Sequence, residues 1–233
     1  SLSDQSVMTM VKHFPGGGPQ LDGLDPHLKS GESQVYPGDH FDYHLAPFIA
    51  AIENDMRVVM PYYGIPTGQT DEDVAMAYNR YILTDLLRDQ LGFEGVICTD
   101  WGVVTGRIWG VEPLTVEERY LKSIEAGVDQ YGGESDPEYI VDLVNQGVIS
   151  EARINESVRR ILRNKFDLGL FERPFVDEAN VNALVNLPEY VSLGMTAQRN
   201  AVVLLDNESS ALPLLAETRI FVDGLDPSVA AKY

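Results

Sequence analysis

A single cysteine among 233 residues, Cys98, leaves no partner for an intrachain disulfide and excludes a cysteine-rich zinc site. Positive charge is scarce as well: 17 Lys and Arg stand against 36 Asp and Glu, for a formal net charge of −19. Such a surface repels phosphate backbones and anionic membranes, which argues against nucleic acid and lipid partners and costs a neutral ligand nothing. Hydrophobic residues make up 44% of the chain, yet none of their runs is long enough to span a bilayer. No secretory leader is recognisable, but the sequence starts in the middle of an element, so the expectation is a piece of a longer protein whose leader would precede residue 1.

What is there alternates. Short apolar runs, Val7–Val11, Arg57–Met60 ("RVVM"), Gly95–Cys98 ("GVIC") and Gly127–Asp129 ("GVD"), are separated by helical patterns at 41–54, 71–92 and 115–127. In the middle pattern Val74, Tyr78, Tyr81 and Ile82 recur at helical spacing, with Thr70 and Asp71 as candidate start and Gly92 as stop. Fully apolar strands alternating with helices predict an α/β fold with a parallel sheet covered by helices. Two further helices are expected over 136–147 and 150–169, the second capped at Ser150. An extended polar linker follows, then a helix at 189–200 and strands in "AVVLLDN" (201–207) and "RIFVDGL" (219–225). About four βα units are visible, where a closed (β/α)8 barrel needs eight.

Three of the apolar runs end in residues that a buried strand does not need. "VKHFPGGG" (11–18) sets Lys12 and His13 side by side before a Pro and three glycines. Both offer donors to hydroxyls, and a bend at Phe14–Pro15, with Pro15 a candidate for cis, would let neighbouring residues face one site. A phosphate-cradling loop is the competing reading of the glycines, but the Lys precedes them and no GK[ST] follows. "VMPYYG" (59–64) ends in two tyrosines, which could hydrogen-bond a carboxylate or wall a pocket but, taken alone, read more often as half-buried packing residues. "GVICTDWG" (95–102) ends in Asp100 and Trp101, a carboxylate and a flat apolar face at the end of a parallel strand, where such sheets carry active sites. In isolation Asp100 reads equally as a helix N-cap.

In this order the three stretches resemble the β-glucosidase-like glycoside hydrolases, family 3. The resemblance runs on through "AGVDQ" (126–130), "RRILRNKFDLGLFERP" (159–174) and "AQRNAVVLLDNESSALPL" (197–214). It implies the C-terminal half of a (β/α)8 barrel over 1–170, a linker over 171–186 and the beginning of an α/β sandwich domain over 187–233. It further implies a retaining exo-acting β-glycosidase with Asp100 as nucleophile and Lys12, His13, Met60, Tyr63 and Trp101 binding substrate. Tyr63 would donate to Asp100, and no cofactor or metal would take part. The partners expected are a β-linked glucoside or oligosaccharide and a companion segment supplying the missing strands. Exposed sheet edges would favour association, so a homo-oligomer is open. Family members suggest a periplasmic or secreted location.

In the resembling family the acid/base comes from beyond residue 233 in one branch. In the β-N-acetylglucosaminidase branch it is an Asp-x-His pair, matched here by Asp25-Pro26-His27. Against that match, Gly17 replaces the branch's loop His and Pro26 its Ser, so His27 is read as a loop residue. A non-catalytic, carbohydrate-binding fragment is the rival from another class. Of the remaining titratable groups, His40 and His44 with Asp39 and Asp42 have metal-like spacing but read better as a helix start capped by Asp39. Glu134 and Glu172 lack supporting context and read as surface residues.

Overall fold

The computed structural model describes residues 6–224 and 226–230, in two compact units that divide between Phe175 and Val176. In the first unit β1 (Met10–Phe14), β3 (Val58–Pro61) and β5 (Val96–Ile97) form a parallel sheet in the order β1-β3-β5. Met10 pairs with Val58, and Val59 with Ile97. Every residue of β3 is buried, the pattern of a strand covered on both faces. A shorter parallel ladder joins β2 (Ser33–Gln34) to β4 (Ile65–Pro66), within the connections that leave β1 and β3.

Helices cover the sheet. Phe14, Val59 and Ile97 share a core with Leu45 and Phe48 of α1 (Phe41–Glu53) and with Ile82, Leu86 and Leu87 of the helix Tyr81–Gln90. The alternate strand residues Val58, Val96 and Cys98 meet Met8 and Ile161, the latter on α4 (Glu151–Asp167). A second core gathers Tyr63, Tyr78, Val103, Val104 and Trp109 with Tyr120 and Ile124 of α2 (Val116–Ala126) and Leu143 of α3 (Glu138–Asn145). Thr115 and Glu118 cap α2 reciprocally, Gly127 at φ 121 ends it, and the Ser150 hydroxyl caps α4 through the Arg153 N–H.

Several expectations need correction. The first strand begins at Met10, not Val7, and runs through Lys12-His13-Phe14, because its ladder partners are Val58–Pro61; Val7 is unpaired and exposed. The expected helix start at Thr70–Asp71 is not one. The N–H groups of Ala75 and Met76 bond to the Trp109 and Gly64 carbonyls, so this stretch is tied to other loops. The helix begins after Asn79, whose side chain accepts the Ile82 N–H, and Leu91 N–H bonds back to Leu86, an i→i+5 pitch. Asp39, at φ 60, does not cap α1, and no side chain does. The "GVD" run makes no strand; a parallel bridge between Cys98 and Gln130 takes its place in the sheet.

In the second unit α5 (Val181–Leu184), α6 (Pro188–Asn200) and α7 (Pro227–Ala230) are helical. The stretch read as an extended linker contains a helical turn, Glu178–Asn180, capped by Asp177. "AVVLLDN" forms no strand, nor does "RIFVDGL" over its described residues; Leu225 lies outside them. Val202–Leu205, Ile220 and Phe221 are exposed and have no neighbouring strand among the described residues, and an apolar run becomes a strand only when its N–H and C=O groups find a ladder.

Candidate functional site

The C-terminal ends of β1, β3 and β5 and the segment after Gln130 bring their rim residues together. Asp100, which follows β5 after Cys98 and Thr99, has a side chain 12% exposed and lies 3.2 Å from His13 Nε2. Its other oxygen, Oδ1, accepts the Trp101 N–H at 2.7 Å. His13 reaches the site because the β1–β3 register slips between Lys12 and Phe14, so Lys12 pairs with Met60 and Phe14 with Pro61. The extra residue breaks the strict alternation of side chains, and both residues flank the rim. The Lys12–His13 and Phe14–Pro15 peptide bonds are cis. Lys12 is exposed and makes no ion pair among the described residues, whereas Met60 is buried in β3.

Burial holds the His13 imidazole below the usual 6.5, Asp100 pulls it up, and Lys12 and His27 add to the lowering. The ring and the carboxylate meet as charge neighbours, with His13 Nε2 3.2 Å from Asp100 Oδ2. An NMR pH titration of the four histidines should find His13 below 6.5. Lys12→Met should raise its midpoint and Asp100→Asn lower it; a midpoint indifferent to both would remove these residues from its surroundings.

Tyr63, expected to donate to Asp100, donates to the Trp101 carbonyl at 2.6 Å and has the Asp100 carboxylate within reach of the same hydroxyl. Burial, then that carboxylate, drives its phenol pKa far above 10. Its neighbour Tyr62 meets the His13 ring at a tilt of 46°, with centroids 5.0 Å apart, and accepts a hydrogen bond from Gln20.

The loop after β1 arches back over the rim. His27 Nδ1 lies 2.7 Å from Asp25 Oδ1, and the His27 ring meets Tyr63 edge-on at 4.9 Å. The backbone N–H of His27, and then its ring, hold the Asp25 carboxyl below its ordinary range. Trp109 Nε1 donates to the Pro26 carbonyl at 2.8 Å, and Lys29 ties the loop to Glu32 and Glu112. A Cβ on Gly31 would lie 2.2 Å from the Asp25 carbonyl oxygen, so only glycine fits. The loop reading of His27 is thus right about its element and incomplete about its surroundings.

Arg107, Trp109 and Glu134 were not foreseen here. The Arg107 guanidinium lies 5.5 Å from the Tyr63 ring centroid and acts on Asp25. Its signal in the sequence was being the sole cation between Asp100 and Arg119. Glu134, read as a surface residue, accepts the N–H groups of Val104 and Thr105 at 2.8 and 3.2 Å. Glu172 is exposed, as expected. His44 packs its ring against Tyr36 and Tyr43 at 5.5 and 5.6 Å.

Comparison with known proteins gives this rim a context. Beta-glucosidase C of Emericella nidulans is 45% identical over 238 residues, covering 97% of this chain and 38% of the relative. The periplasmic beta-glucosidase/beta-xylosidase of Dickeya chrysanthemi is 37% identical over 253 residues, covering 98% of this chain and 38% of the relative. The chain therefore spans well under half the length of these relatives. Among solved structures, an exo-1,3/1,4-beta-glucanase from a Pseudoalteromonas species superposes with TM-score 0.69 at 30% identity, over 89% of this chain and 32% of that one. A beta-glucosidase from Listeria innocua gives TM-score 0.67 at 28% identity, over 88% and 28%. Residues 1–164 match the N-terminal domain of glycosyl hydrolase family 3, and the chain belongs to that family.

Proposed function

We propose that this chain carries the nucleophile side of the active site of a retaining exo-acting β-glucosidase, as the C-terminal half of a (β/α)8 barrel. The observation that carries the reading is the Asp100 carboxylate, at the end of a parallel strand and within 3.2 Å of a histidine Nε2. Asp100 attacks the anomeric carbon of a terminal β-D-glucosyl residue, the glycosidic C–O bond breaks, and an acid protonates the departing oxygen. Water then attacks the glycosyl ester, gives its proton to the same group and returns Asp100 as a carboxylate. In the ground state the Trp101 N–H donates to the nucleophile's carboxylate, and the His13 ring lies 3.2 Å from its other oxygen. Lys12 and His13 take substrate hydroxyls, Tyr63 and Trp101 wall the sugar, and buried Met60 backs the wall.

The acid and the remaining strands come from elsewhere in this reading. Among the described residues β1 pairs only with β3, which leaves its other edge open to a companion segment in this reading. The region after the linker is read as the start of a sandwich domain, and the periplasmic relatives support a periplasmic or secreted location. No helix among the described residues is long and apolar enough to cross a membrane.

A second reading has its own observation. Asp25 and His27 form a 2.7 Å pair beside Tyr63, so His27 is poised to act as acid/base in a β-N-acetylglucosaminidase. A relative from Cellulomonas fimi, 26% identical over 230 residues, is named for both activities.

Incubation with a 2-deoxy-2-fluoro-β-glucoside tests the main reading. The expected result is a sugar-sized mass increment on the peptide containing Asp100. An increment on any other carboxylate, or none from an active preparation, would overturn it. His27→Ala separates the two readings: it should leave glucosidase turnover within about threefold, whereas an acid/base role predicts a loss of about 10²–10⁴-fold.

A further inference from the structure

The turn that follows Asp100 is held to an unusual degree by groups distant in sequence. Tyr63 OH donates to the Trp101 carbonyl at 2.6 Å, buried Tyr78 OH to the Val103 carbonyl at 2.8 Å, and Arg119 to the Val104 carbonyl at 3.0 Å. The Gly102 carbonyl accepts from the Gly106 and Arg107 N–H groups at 2.9 and 3.0 Å. The N–H groups are met from the other side, by the segment after the Cys98–Gln130 bridge. Gly102 N–H donates to the Gly132 carbonyl, and Val104 N–H and Thr105 N–H both donate to Glu134 Oε1. The Thr105 hydroxyl adds a bond to Glu134 Oε2 at 3.1 Å.

The same segment supports the indole. A Cβ on Gly132 would lie 2.7 Å from Trp101 Cε3, and one on Gly133 2.5 Å from Trp101 Cδ1, so the ring lies directly against glycine backbone. Gly132 is itself fixed, its N–H donating to the Thr99 hydroxyl at 2.9 Å. Yet Trp101 remains 55% exposed: one side of the indole is seated and the other is open.

From this we infer that Gly132-Gly133-Glu134 is a cradle that sets the angle of the Trp101 indole at the substrate site, with Glu134 as a positioning residue. The glycines allow the ring to approach, and the Glu134 carboxylate anchors the turn that carries it. The role of this angle in catalysis rests on the proposed glycosidase function; the cradle itself does not. Among the described residues Glu134 makes no hydrogen bond or ion pair with Asp100 or His13; its bonds go to Val104 and Thr105, in the turn that carries Trp101.

The sequence contains two tryptophans, Trp101 and buried Trp109, so the indole N–H region of an NMR spectrum reads the cradle directly. Glu134→Ala should shift or broaden the Trp101 resonance, assigned by its loss in Trp101→Phe, and leave that of Trp109 in place. Glu134→Gln keeps an acceptor oxygen for the two N–H groups and should restore the position. An unchanged Trp101 resonance in Glu134→Ala overturns the cradle whether or not the preparation turns over a glucoside. Movement of both resonances overturns it too, because the effect is then general.

Kinetics on the chain with its companion segment test the consequence. Glu134→Ala should raise KM about tenfold, lower kcat less, and cost nothing further in a Trp101→Ala background, since residues acting as one unit are non-additive. Additive losses would mean that Glu134 acts by another route. Absence of turnover in the unaltered protein, with the Trp101 resonance behaving as expected, would sink the glycosidase reading and leave the cradle standing.

Discussion

Asp100→Asn should remove turnover of an aryl β-glucoside by about 10⁴-fold or more, roughly 5 kcal/mol of transition-state stabilisation lost at 1.36 kcal/mol per decade. The amide has nearly the shape of the carboxylate but neither its charge nor its nucleophilicity. Trp101 N–H can still donate to the amide oxygen, so the rim keeps its geometry. Sugar affinity, carried by Lys12, His13 and Trp101 in this reading, should stay within about tenfold, a difference of about 1.4 kcal/mol. Burst and steady-state kinetics, with binding of a non-hydrolysable glucoside measured alongside, decide the matter. Retained turnover would show that Asp100 is not the nucleophile. A preparation with sugar binding but no turnover to lose would favour the carbohydrate-binding rival.

That prediction could be framed on the sequence because each of its residue pairs, Lys12-His13 and Asp100-Trp101, follows an apolar run. "RVVM" and "GVIC" are legible as strands because burial on both faces leaves a continuous apolar run, and His13 and Asp100 follow the apolar starts of β1 and β5, which both pair with β3. Contact between them at 3.2 Å then needs only the parallel order. The helix expected from residue 71 fails for an instructive reason. Val74 and Tyr78 are buried, as their spacing indicates, but they are buried in a turn and a 3₁₀ segment bonded to Gly64 and Trp109. Periodicity reports which side chains face the core, not which backbone carries them there. Glu134 was illegible because its partners, Val104 and Thr105, meet it only after the strands are assembled. The second unit shows the same limit from the other side: Val202–Leu205 has a strand's composition and no ladder to join.

The largest effect on stability should come from Asp129, which the sequence offered only as the end of "GVD". Its side chain is fully buried. Oδ2 accepts from Arg88 at 2.5 Å and from the Ile97 N–H at 3.0 Å, and Oδ1 from Arg160 at 2.8 Å and the Ser157 hydroxyl at 2.7 Å. One carboxylate thus joins β5, the helix Tyr81–Gln90 and α4. Arg88 is itself largely buried, and burial pulls its pKa down to about 10 even with Asp129 opposing the fall. Without the carboxylate, that guanidinium keeps the Phe93 and Gly95 carbonyls, at 3.0 and 2.6 Å, and the Phe93 ring, with no counter-charge among the described residues. Breaking a buried pair from one side costs about 3–5 kcal/mol, because the other charge is left stranded. Asp129→Ala should therefore lower the urea midpoint by an amount equivalent to about 3–5 kcal/mol, a large share of a domain's usual stability. Asp129→Asn should rescue little, since its amide hydrogens would face the guanidinium donors. A midpoint unchanged by either variant would mean that backbone carbonyls and solvent satisfy these arginines without Asp129. The site should register the loss as well, because the next residue, Gln130, makes the bridge to Cys98 from which Thr99 and Asp100 continue.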